Sequence, residues 1–263
     1  MSNSSEACLT EGQVQSFIAD GYVRIDGAFP AEIAGACRGQ LWAAIGLSPD
    51  NPAGWTQPVV RVAAMATPPF VAAGNTAVLH AAYDRLVGAG RWQRPQGLGT
   101  FPIRFPSPVA PGDDGWHIDA SFGTEAPDFM DWRVNVVSQG RALLMLFLLS
   151  DVGPEDAPTR IRVGSHLTIA QELLPHGMAG TTLRELSAGG FASTGGCREV
   201  QAVGAAGTVY LCHPFLVHAA QAHRGTAPRF MAQPPLLPVG AFDPALPPSP
   251  VQVAIRRACG LEI

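Results

Sequence analysis

Apolar positions in the first third of the chain recur at the spacing of helices. A capping-box signature at residues 10–13 precedes Val14, Phe17 and Ile18, which lie three or four positions apart, and Gly21 ends this run. Similar periodicity begins after Pro30 and again occupies residues 69–87, while residues 22–25 alternate as a short strand. We therefore expect residues 1–97 to be mostly helical.

After about residue 98 the pattern changes to short β-rich segments separated by glycine, proline and aspartate. Eight segments carry this pattern: residues 100–105, 116–119, 143–149, 160–163, 197–203, 208–212, 216–219 and 229–234. Many short strands at such spacing predict one antiparallel sandwich or barrel. Residues 167–187 interrupt the strands with leucines at helical spacing, and residues 251–258 form a last amphipathic segment after a proline-rich loop.

These patterns together predict a mainly β fold with flanking helices. The chain of 263 residues is 47% hydrophobic, which is enough to bury a sizeable core, and no change in composition resembles a linker. We therefore expect a single domain over residues 1–263. Its mostly helical part, residues 1–97, would pack on a β core at residues 98–263, with a helical insertion near residues 167–187.

Charge and composition exclude several classes of function. The 17 cationic side chains against 21 acidic ones give a net charge of −4, which excludes a strongly basic nucleic-acid binder. Every cationic side chain is an arginine, so mechanisms that need a lysine nucleophile or base are excluded. The five cysteines are scattered without a C-x-x-C pair, which indicates neither a disulfide framework nor a zinc finger.

The opening residues and the apolar runs give no sign of export or membrane insertion. Residues 1–7 lack the basic and apolar segments of a signal peptide, and the longest apolar run, residues 142–149, is far below the roughly 18 residues of a membrane span. We expect a cytoplasmic protein, a monomer or small homo-oligomer, that binds a small molecule and neither nucleic acid nor membrane.

The sharpest chemical feature is the pair His117 and Asp119 on a predicted strand. Side chains two apart on a strand project to the same face, so the imidazole and the carboxylate can occupy neighbouring positions around a metal. A histidine from another strand would complete the two-histidine, one-carboxylate set of non-haem Fe(II) oxygenases. By itself the pair is also compatible with a surface or loop-anchoring role.

The second feature is a strand, turn and strand at residues 207–219 that is followed by Arg229. A guanidinium eleven residues after His218, across a hairpin, can return beside a metal and bind a carboxylate through paired hydrogen bonds. His213 is the other candidate ligand in this segment, although its position before Pro214 is typical of a turn that ends a strand.

Three motifs in this order resemble the phytanoyl-CoA dioxygenase family of Fe(II)- and 2-oxoglutarate-dependent oxygenases. They are Gly115-Trp-His-Ile-Asp119, the segment from Pro158 to His166, and Gly207 through His218 to Arg229. Residues 9–23 are similar to the family's opening helix and strand. The resemblance therefore covers nearly the whole chain.

The resemblance implies a double-stranded β-helix, or jelly-roll, core flanked by N-terminal helices. It assigns Fe(II) to His117, Asp119 and His218 as the catalytic set, and the far carboxylate of 2-oxoglutarate to Arg229. The eleven-residue gap from His218 to Arg229 matches the family better than the longer gap from His213. The implied cofactors are Fe(II), the cosubstrate 2-oxoglutarate and O₂, and the implied reaction oxidises a C–H bond of a small organic substrate and releases succinate and CO₂.

Three positions in this chain refine the comparison with the family. A basic residue upstream of the His-x-Asp motif often helps to hold the cosubstrate, and without lysine Arg104 is the expected replacement. The Asn-Gly pair that many members carry before the turn at residue 164 is Asp156-Ala157 here. The presence of Asp119 favours hydroxylation or another oxidation, because halogenating relatives replace this carboxylate with a small residue.

Substrate contacts are expected from three further residues. Arg162 shares a strand face with Arg160, and that face is either solvent or the mouth of the cavity, where cations would attract an acidic substrate. Phe122 and Trp132 belong to residues 121–132, which come directly after the metal motif. This segment is either a mobile loop that closes over the substrate or an ordinary packed excursion.

Two other classes of function are compatible with the same fold. A metal-dependent jelly-roll hydrolase or isomerase would use the three ligands without 2-oxoglutarate, and a catalytically silent relative would bind a ligand without consuming oxygen. The complete set of His117, Asp119, His218 and Arg229 favours the oxygenase, because a silent descendant has no reason to keep all four.

Overall fold

The computed structural model describes residues 9–241 and 245–262. Residues 1–8, on which the expected absence of a signal peptide depends, residues 242–244 of the proline-rich loop and residue 263 lie outside the described residues. Over the described ranges the chain forms seven α-helices: α1 (Glu11–Asp20), α2 (Ala31–Ile45), α3 (Pro68–Gly74), α4 (Ala77–Val87), α5 (Ser165–Leu173), α6 (Leu183–Ser187) and α7 (Pro250–Ala258).

The same described ranges contain twelve β-strands. They are β1 (Tyr22–Ile25), β2 (Val59–Val62), β3 (Phe101–Arg104), β4 (Arg133–Val134), β5 (Leu143–Leu148), β6 (Arg160–Arg162), β7 (Thr181–Thr182), β8 (Glu199–Gln201), β9 (Val209–Cys212), β10 (His218–Ala219), β11 (Met231–Ala232) and β12 (Pro235–Leu236). Helix α6 lies in the segment that the sequence marks as a helical insertion, residues 167–187, and α5 begins two residues before it.

The N-terminal helices begin and end at residues that the sequence indicates. Thr10 caps α1 through a complete capping box with Gln13, and Gly21 ends the helix in the left-handed conformation at φ 87°. The break between α3 and α4 falls at Asn75, and Thr76 caps α4. The helical segments predicted in the first third of the chain are confirmed.

The largest sheet has β9 and β5 at its centre. Its strand order is β1-β9-β5-β11, with β12 also pairing with β5, and every pairing is antiparallel. All six residues of β5 are buried, so both faces of the sheet are covered. The side chains of β5 alternate between two apolar clusters: Leu144, Leu146 and Leu148 join one, and Leu143, Met145 and Phe147 join the other.

A smaller antiparallel sheet, in the order β10-β6-β8, covers one face of the large sheet. Ile161 of β6 is fully buried in the same apolar cluster as Leu146 of β5 and Tyr210 of β9. Helices cover the opposite face, where Phe147 of β5 shares the larger cluster with Phe17 of α1. The site residues described below lie on or beside strands of these sheets.

The chain is a mixed helix and strand protein with antiparallel sheets, and the expectation of a mainly β fold overstates its strand content. With short 3-10 helices included, helices take up 31% of the described residues. Strands and isolated bridges together take up 19%, because most of the strands have only two to four residues. The segment predicted as a strand at residues 116–119 forms only a single bridge, at His117. The sequence pattern does not predict β2, β4, β7 or β12, and the last three have two residues each, too few to show alternation.

Within the described ranges, none of the helices has both the length and the apolar character that crossing a bilayer requires. The longest of them, α2, has 15 residues. The cysteines that the structure describes, Cys37, Cys197, Cys212 and Cys259, are free thiols.

Candidate metal centre

His117 and His218 lie side by side, where the segment before Ile118 pairs with β10. The backbone N–H of His117 donates to the carbonyl oxygen of His218 over 3.0 Å, and the N–H of His218 donates to the carbonyl oxygen of His117 over 2.9 Å. This pairing places the two imidazole rings with their centres 4.3 Å apart. This β-bridge therefore fixes the spacing of two potential metal ligands.

Backbone carbonyls orient both imidazoles. Nδ1 of His117 lies 2.9 Å from the carbonyl oxygen of Gly115, and Nδ1 of His218 lies 3.0 Å from that of Leu216. Nδ1 donates in each ring, which leaves Nε2 with a free lone pair. Nε2 of His218 is buried and has no hydrogen-bond partner among the described residues, as expected of a nitrogen that binds a metal.

Asp119 completes a set of three potential metal ligands. One ligand atom from each of His117, Asp119 and His218 lies within 4.8 Å of the other two, which is close to the separation that ligands of one ion require. Ile118 is fully buried, and side chains alternate along an extended backbone. The side chains of His117 and Asp119 therefore point to the side opposite that of Ile118. Two imidazoles and one carboxylate fit a divalent transition metal and leave coordination positions open.

The protonation states of these ligands suit a cation at neutral pH. Burial lowers the pKa of His218 to about 4, and the neighbouring His117 acts in the same direction, so the ring is neutral and its nitrogen can bind a metal. Burial acts to raise the pKa of Asp119, but the Arg141 guanidinium and the two imidazoles outweigh it and hold the pKa below its ordinary value. Metal binding at neutral pH therefore needs little release of protons from His218 and Asp119.

A small pocket opens beside the two histidines. Arg104 and Arg229 line it as well, because their backbones pair over 3.1 and 2.8 Å and bring both side chains to the same place. The remaining lining residues are Arg61, Pro102, Asp113, Thr159, Ala220, Met231 and Gln233. One pocket thus joins the metal ligands to a group of cations.

Arg229 is a buried cation with no carboxylate in direct contact among the described residues. It donates to the carbonyl oxygens of Ala157 and Pro102, the second over 3.1 Å, and its Nε has no acceptor in the described part of the chain. Burial and repulsion from Arg104 lower the pKa of Arg229, against the attraction of Asp113. A bound carboxylate would supply both the missing acceptor and the missing negative charge.

Arg104 and Arg61 share the carboxylate of Asp113. Nη2 of Arg104 lies 2.8 Å from each carboxylate oxygen, and Arg61 also pairs with this group. Nε and Nη1 of Arg104 are buried without an acceptor in the residues that the structure describes. Three guanidiniums against one carboxylate make the pocket electropositive, which favours a dianion such as 2-oxoglutarate.

The three expected substrate residues lie outside this lining set. Arg162 donates from Nη1 to the carbonyl oxygen of Phe191 over 2.9 Å and to Oγ1 of Thr194 over 2.8 Å, and its guanidinium lies 4.0 Å from the ring centre of Trp116. Trp116 stands next to His117, so Arg162 is linked to the metal motif through this ring.

Phe122 and Trp132 lie at the two ends of the segment that follows Asp119. The backbone of Phe122 pairs with Arg133 over 3.1 and 2.8 Å, which holds the base of the segment. Nε1 of Trp132 donates to the carbonyl oxygen of Ala126 over 2.9 Å, within the same segment. The role of these two residues in substrate binding stays a prediction.

The structure places His213 away from the group of three ligands. Its Nε2 lies 3.3 Å from the carbonyl oxygen of Val251, and its Nδ1 accepts from the N–H of Phe215 over 3.1 Å, so both ring nitrogens are used. His166 packs against it, with ring centres 4.7 Å apart. Among the described residues, His218 and not His213 comes together with His117 and Asp119.

Arg141, Asp113 and Arg61 are the charged residues of this region that sequence reasoning missed. Arg141 pairs with Asp119 over 3.1 Å, and Arg61 pairs with Asp113 across 52 positions of sequence. None of the three lies in a motif. No local signal in the sequence singles out these three residues.

Several solved structures share this fold. SnoK, a non-heme alpha ketoglutarate dependent carbocyclase from nogalamycin biosynthesis, is 17% identical with a TM-score of 0.58, over 90% of this chain and 87% of that one. EctD from S. alaskensis, solved with 2-oxoglutarate and 5-hydroxyectoine, is 19% identical with a TM-score of 0.55, over 92% and 78% of the two chains. HygX from Streptomyces hygroscopicus, solved with nickel, 2-oxoglutarate and hygromycin B, is 19% identical with a TM-score of 0.54, over 89% and 88%.

A family comparison gives the more specific result. Among curated proteins no significant match to this chain was found. The model of the family described as Phytanoyl-CoA dioxygenase matches residues 17–231, a stretch that contains His117, Asp119, His218 and Arg229. The chain therefore belongs to the phytanoyl-CoA dioxygenase family, a family of Fe(II)- and 2-oxoglutarate-dependent oxygenases.

Proposed function

We propose that the protein is an Fe(II)- and 2-oxoglutarate-dependent dioxygenase that oxidises a C–H bond of a small organic substrate. The observation that carries the proposal is that ligand atoms of His117, Asp119 and His218 converge within 4.8 Å beside a pocket that also holds Arg229. Family membership supports the choice of metal and cosubstrate. Proteins of similar fold that were solved with iron or with 2-oxoglutarate are consistent with it.

Fe(II) and 2-oxoglutarate each match a set of residues with unpartnered atoms that could bind them. His117, Asp119 and His218 would hold Fe(II), and Arg229 would pair with the far carboxylate of 2-oxoglutarate, with Arg104 beside it. The unpartnered Nε2 of His218 and Nε of Arg229 support this assignment. When bound, the iron and the cosubstrate use O₂ to generate the oxidant, and 2-oxoglutarate leaves as succinate and CO₂.

Backbone pairing between distant parts of the chain positions these groups. One β-bridge joins His117 to His218 and another joins Arg104 to Arg229, so potential metal ligands and cations are each held beside a paired neighbour. Groups held by such pairing keep their geometry better than groups on free loops. The carbonyl of Leu216 keeps the ring of His218 in the tautomer that presents Nε2 to the metal.

We propose that the two main sheets form the jelly-roll core typical of the family. Two antiparallel sheets share one apolar layer, in which Ile161 of the smaller sheet packs with residues of β5 and β9. His218 on β10 and the bridge at His117 then lie where the smaller sheet meets the segment that carries the metal motif.

The substrate is proposed to approach from the segment that follows the metal ligands. Phe122 is three residues from Asp119 and Trp132 ends the same segment, so both would border the approach to the metal. Arg162 would act from the side of Trp116 and attract an acidic substrate. Loops placed directly after catalytic strands commonly bind substrate.

Formation of succinate tests the proposal. Protein supplied with Fe(II), ascorbate, 2-oxoglutarate and O₂ is expected to form succinate, and turnover is expected to rise with an accepted substrate, found by measuring oxygen uptake across a panel of small molecules. His117→Ala and Asp119→Ala are expected to lose this turnover. Arg91→Met is a suitable control because Arg91 bonds to the carbonyl of Pro247, away from the pocket. Equal turnover in the wild type and both ligand variants would remove the assignment.

A further inference from the structure

Arg141 lies beside Asp119, the only carboxylate within 4.0 Å of its guanidinium in the described part of the chain. Nη1 of Arg141 is 3.1 Å from one carboxylate oxygen, and the side chain is only 12% exposed. Nη2 lies 3.5 Å from the carbonyl oxygen of Ala120. Nε and Nη1 have no aligned hydrogen-bond acceptor among the described residues, so the guanidinium acts on Asp119 chiefly as a close positive charge.

A tight turn delivers Arg141 to this position. The N–H of Ser138 donates to the carbonyl oxygen of Asn135 over 3.0 Å, and Oγ of Ser138 donates to the carbonyl oxygen of Arg141 over 2.7 Å. Ser138 and Gly140 both have left-handed backbone, at φ 51° and 82°. A Cβ on Gly140 would lie 2.3 Å from the carbonyl oxygen of Ser121, so the turn packs directly on the segment after Asp119.

We propose that Arg141 is a positioning residue that holds Asp119 so that only one carboxylate oxygen is offered to the metal. The inference rests on the proposed function, because it concerns how this carboxylate meets Fe(II). A carboxylate can bind a metal through one oxygen or through both. With Arg141 on one oxygen, the coordination position that a second oxygen would take stays open for 2-oxoglutarate.

Loss of Arg141 should therefore affect the metal and the cosubstrate differently. The metal would lose a repelling charge and gain access to a second carboxylate oxygen, so its affinity is not expected to fall. The cosubstrate would compete with that oxygen for a position and bind less tightly. Loss of an outer partner of a metal ligand typically costs about 10- to 100-fold in metal affinity or activity. Here we expect a loss of similar size in cosubstrate binding instead, because Arg141 carries a charge that repels the metal.

The experiment uses Co(II), whose visible absorption reports the number of its ligands. The apoproteins of the wild type, Arg141→Met, Arg141→Lys and Arg91→Met are titrated with Co(II), and the loaded proteins are then titrated with 2-oxoglutarate by calorimetry. Arg91 is a matched control because it is a half-buried arginine that donates to a backbone carbonyl over 2.9 Å.

For Arg141→Met we expect a Co(II) Kd within about threefold of the wild type, an altered Co(II) spectrum before 2-oxoglutarate is added, and a 2-oxoglutarate Kd raised at least about tenfold. Arg141→Lys should recover most of the affinity for 2-oxoglutarate, since it keeps a cation near Asp119. Arg91→Met should match the wild type in all three measurements.

Three results would overturn the inference, and they differ in what else they refute. Wild-type 2-oxoglutarate affinity in Arg141→Met, or a loss of Co(II) affinity with an unchanged spectrum, refutes the role of Arg141 alone. A wild-type protein that takes up no Co(II) refutes the proposed function together with this inference. If circular dichroism shows that Arg141→Met does not fold, Arg141→Gln carries the same expectations.

Discussion

The rings of His166 and His213 pack against each other with their centres 4.7 Å apart. Nε2 of His166 lies 3.1 Å from the carbonyl oxygen of Ile18 in α1, and Nε2 of His213 lies 3.3 Å from that of Val251 in α7. Both side chains are almost completely buried. The pair therefore joins two helices behind the large sheet, and burial favours the neutral form of both rings.

The first prediction is that the free energy of unfolding decreases as the pH falls below about 6.5. Burial lowers the pKa of His166 to about 4, and burial with repulsion from His166 lowers the pKa of His213 well below its ordinary value. Between about pH 6.5 and these lowered pKa values, the two histidines are protonated in the unfolded chain but not in the folded chain. The loss is up to about 1.4 kcal/mol per pH unit for each ring, or about 3 kcal/mol for His166 by pH 4.

Urea unfolding between about pH 7 and pH 5 measures this loss. His166→Gln keeps a donor for the carbonyl of Ile18 and removes one titrating group. As the pH falls, its free energy of unfolding should therefore decrease less steeply than that of the wild type, by up to about 1.4 kcal/mol per pH unit. His176→Gln, at an exposed histidine, should behave as the wild type does. The same pH dependence in all three proteins would contradict this interpretation of the pair.

The second prediction concerns Arg229. Arg229→Met should weaken 2-oxoglutarate binding to the metal-loaded protein by roughly 10- to 100-fold, because hydrogen bonds between charged groups contribute about 1.5–3 kcal/mol. Its affinity for Co(II) should stay close to that of the wild type, since Arg229 is not one of the three grouped ligands. Calorimetry measures both constants, and unchanged binding of 2-oxoglutarate would exclude Arg229 from the cosubstrate site.

The third prediction is that Asp113 weakens cosubstrate binding in the wild type. Its carboxylate pairs with Arg104 and Arg61 in the pocket that also holds Arg229, so it competes with an incoming dianion for the same cations. Asp113→Asn keeps the shape and removes the charge. The Kd for 2-oxoglutarate should fall severalfold at low salt and by less at high salt. A higher Kd in the variant would mean that Asp113 orients Arg104 instead.

The fourth prediction tests the turn that delivers Arg141. Gly140→Ala adds a Cβ at 2.3 Å from the carbonyl oxygen of Ser121 in a left-handed residue, and it should lower the free energy of unfolding by at least about 2 kcal/mol. Gly90→Ala has similar backbone, at φ 74°, but nothing within 4 Å of the new Cβ. Urea unfolding should show a clearly smaller loss for Gly90→Ala, and equal losses would contradict the close packing of the turn.

The sequence predicts the helices of the first third and the common direction of His117 and Asp119, because both follow local rules. Helical spacing and the capping box at Thr10 act over a few residues. His117 and Asp119 need only an extended backbone to share a face, so the prediction holds for their common direction even though that segment forms a single bridge instead of a strand.

The charged partners of the site could not be predicted in this way. Arg141 meets Asp119 only after a left-handed turn returns the chain, and Arg61 meets Asp113 only because β2 pairs with β3. Such contacts depend on tertiary pairing, for which a single sequence gives no local signal. The two-residue strands β4, β7 and β12 were missed for the same reason, since each is defined by its neighbour.

The central claim is that His117, Asp119 and His218 together hold an iron that 2-oxoglutarate then binds. The most direct measurement is the visible charge-transfer absorption that develops when 2-oxoglutarate is added to the Fe(II)-loaded protein without oxygen. The account predicts this band in the wild type and in His213→Gln, and its absence in His117→Ala, Asp119→Ala and His218→Ala. No band in the wild type, or an undiminished band in any of the three ligand variants, would contradict it.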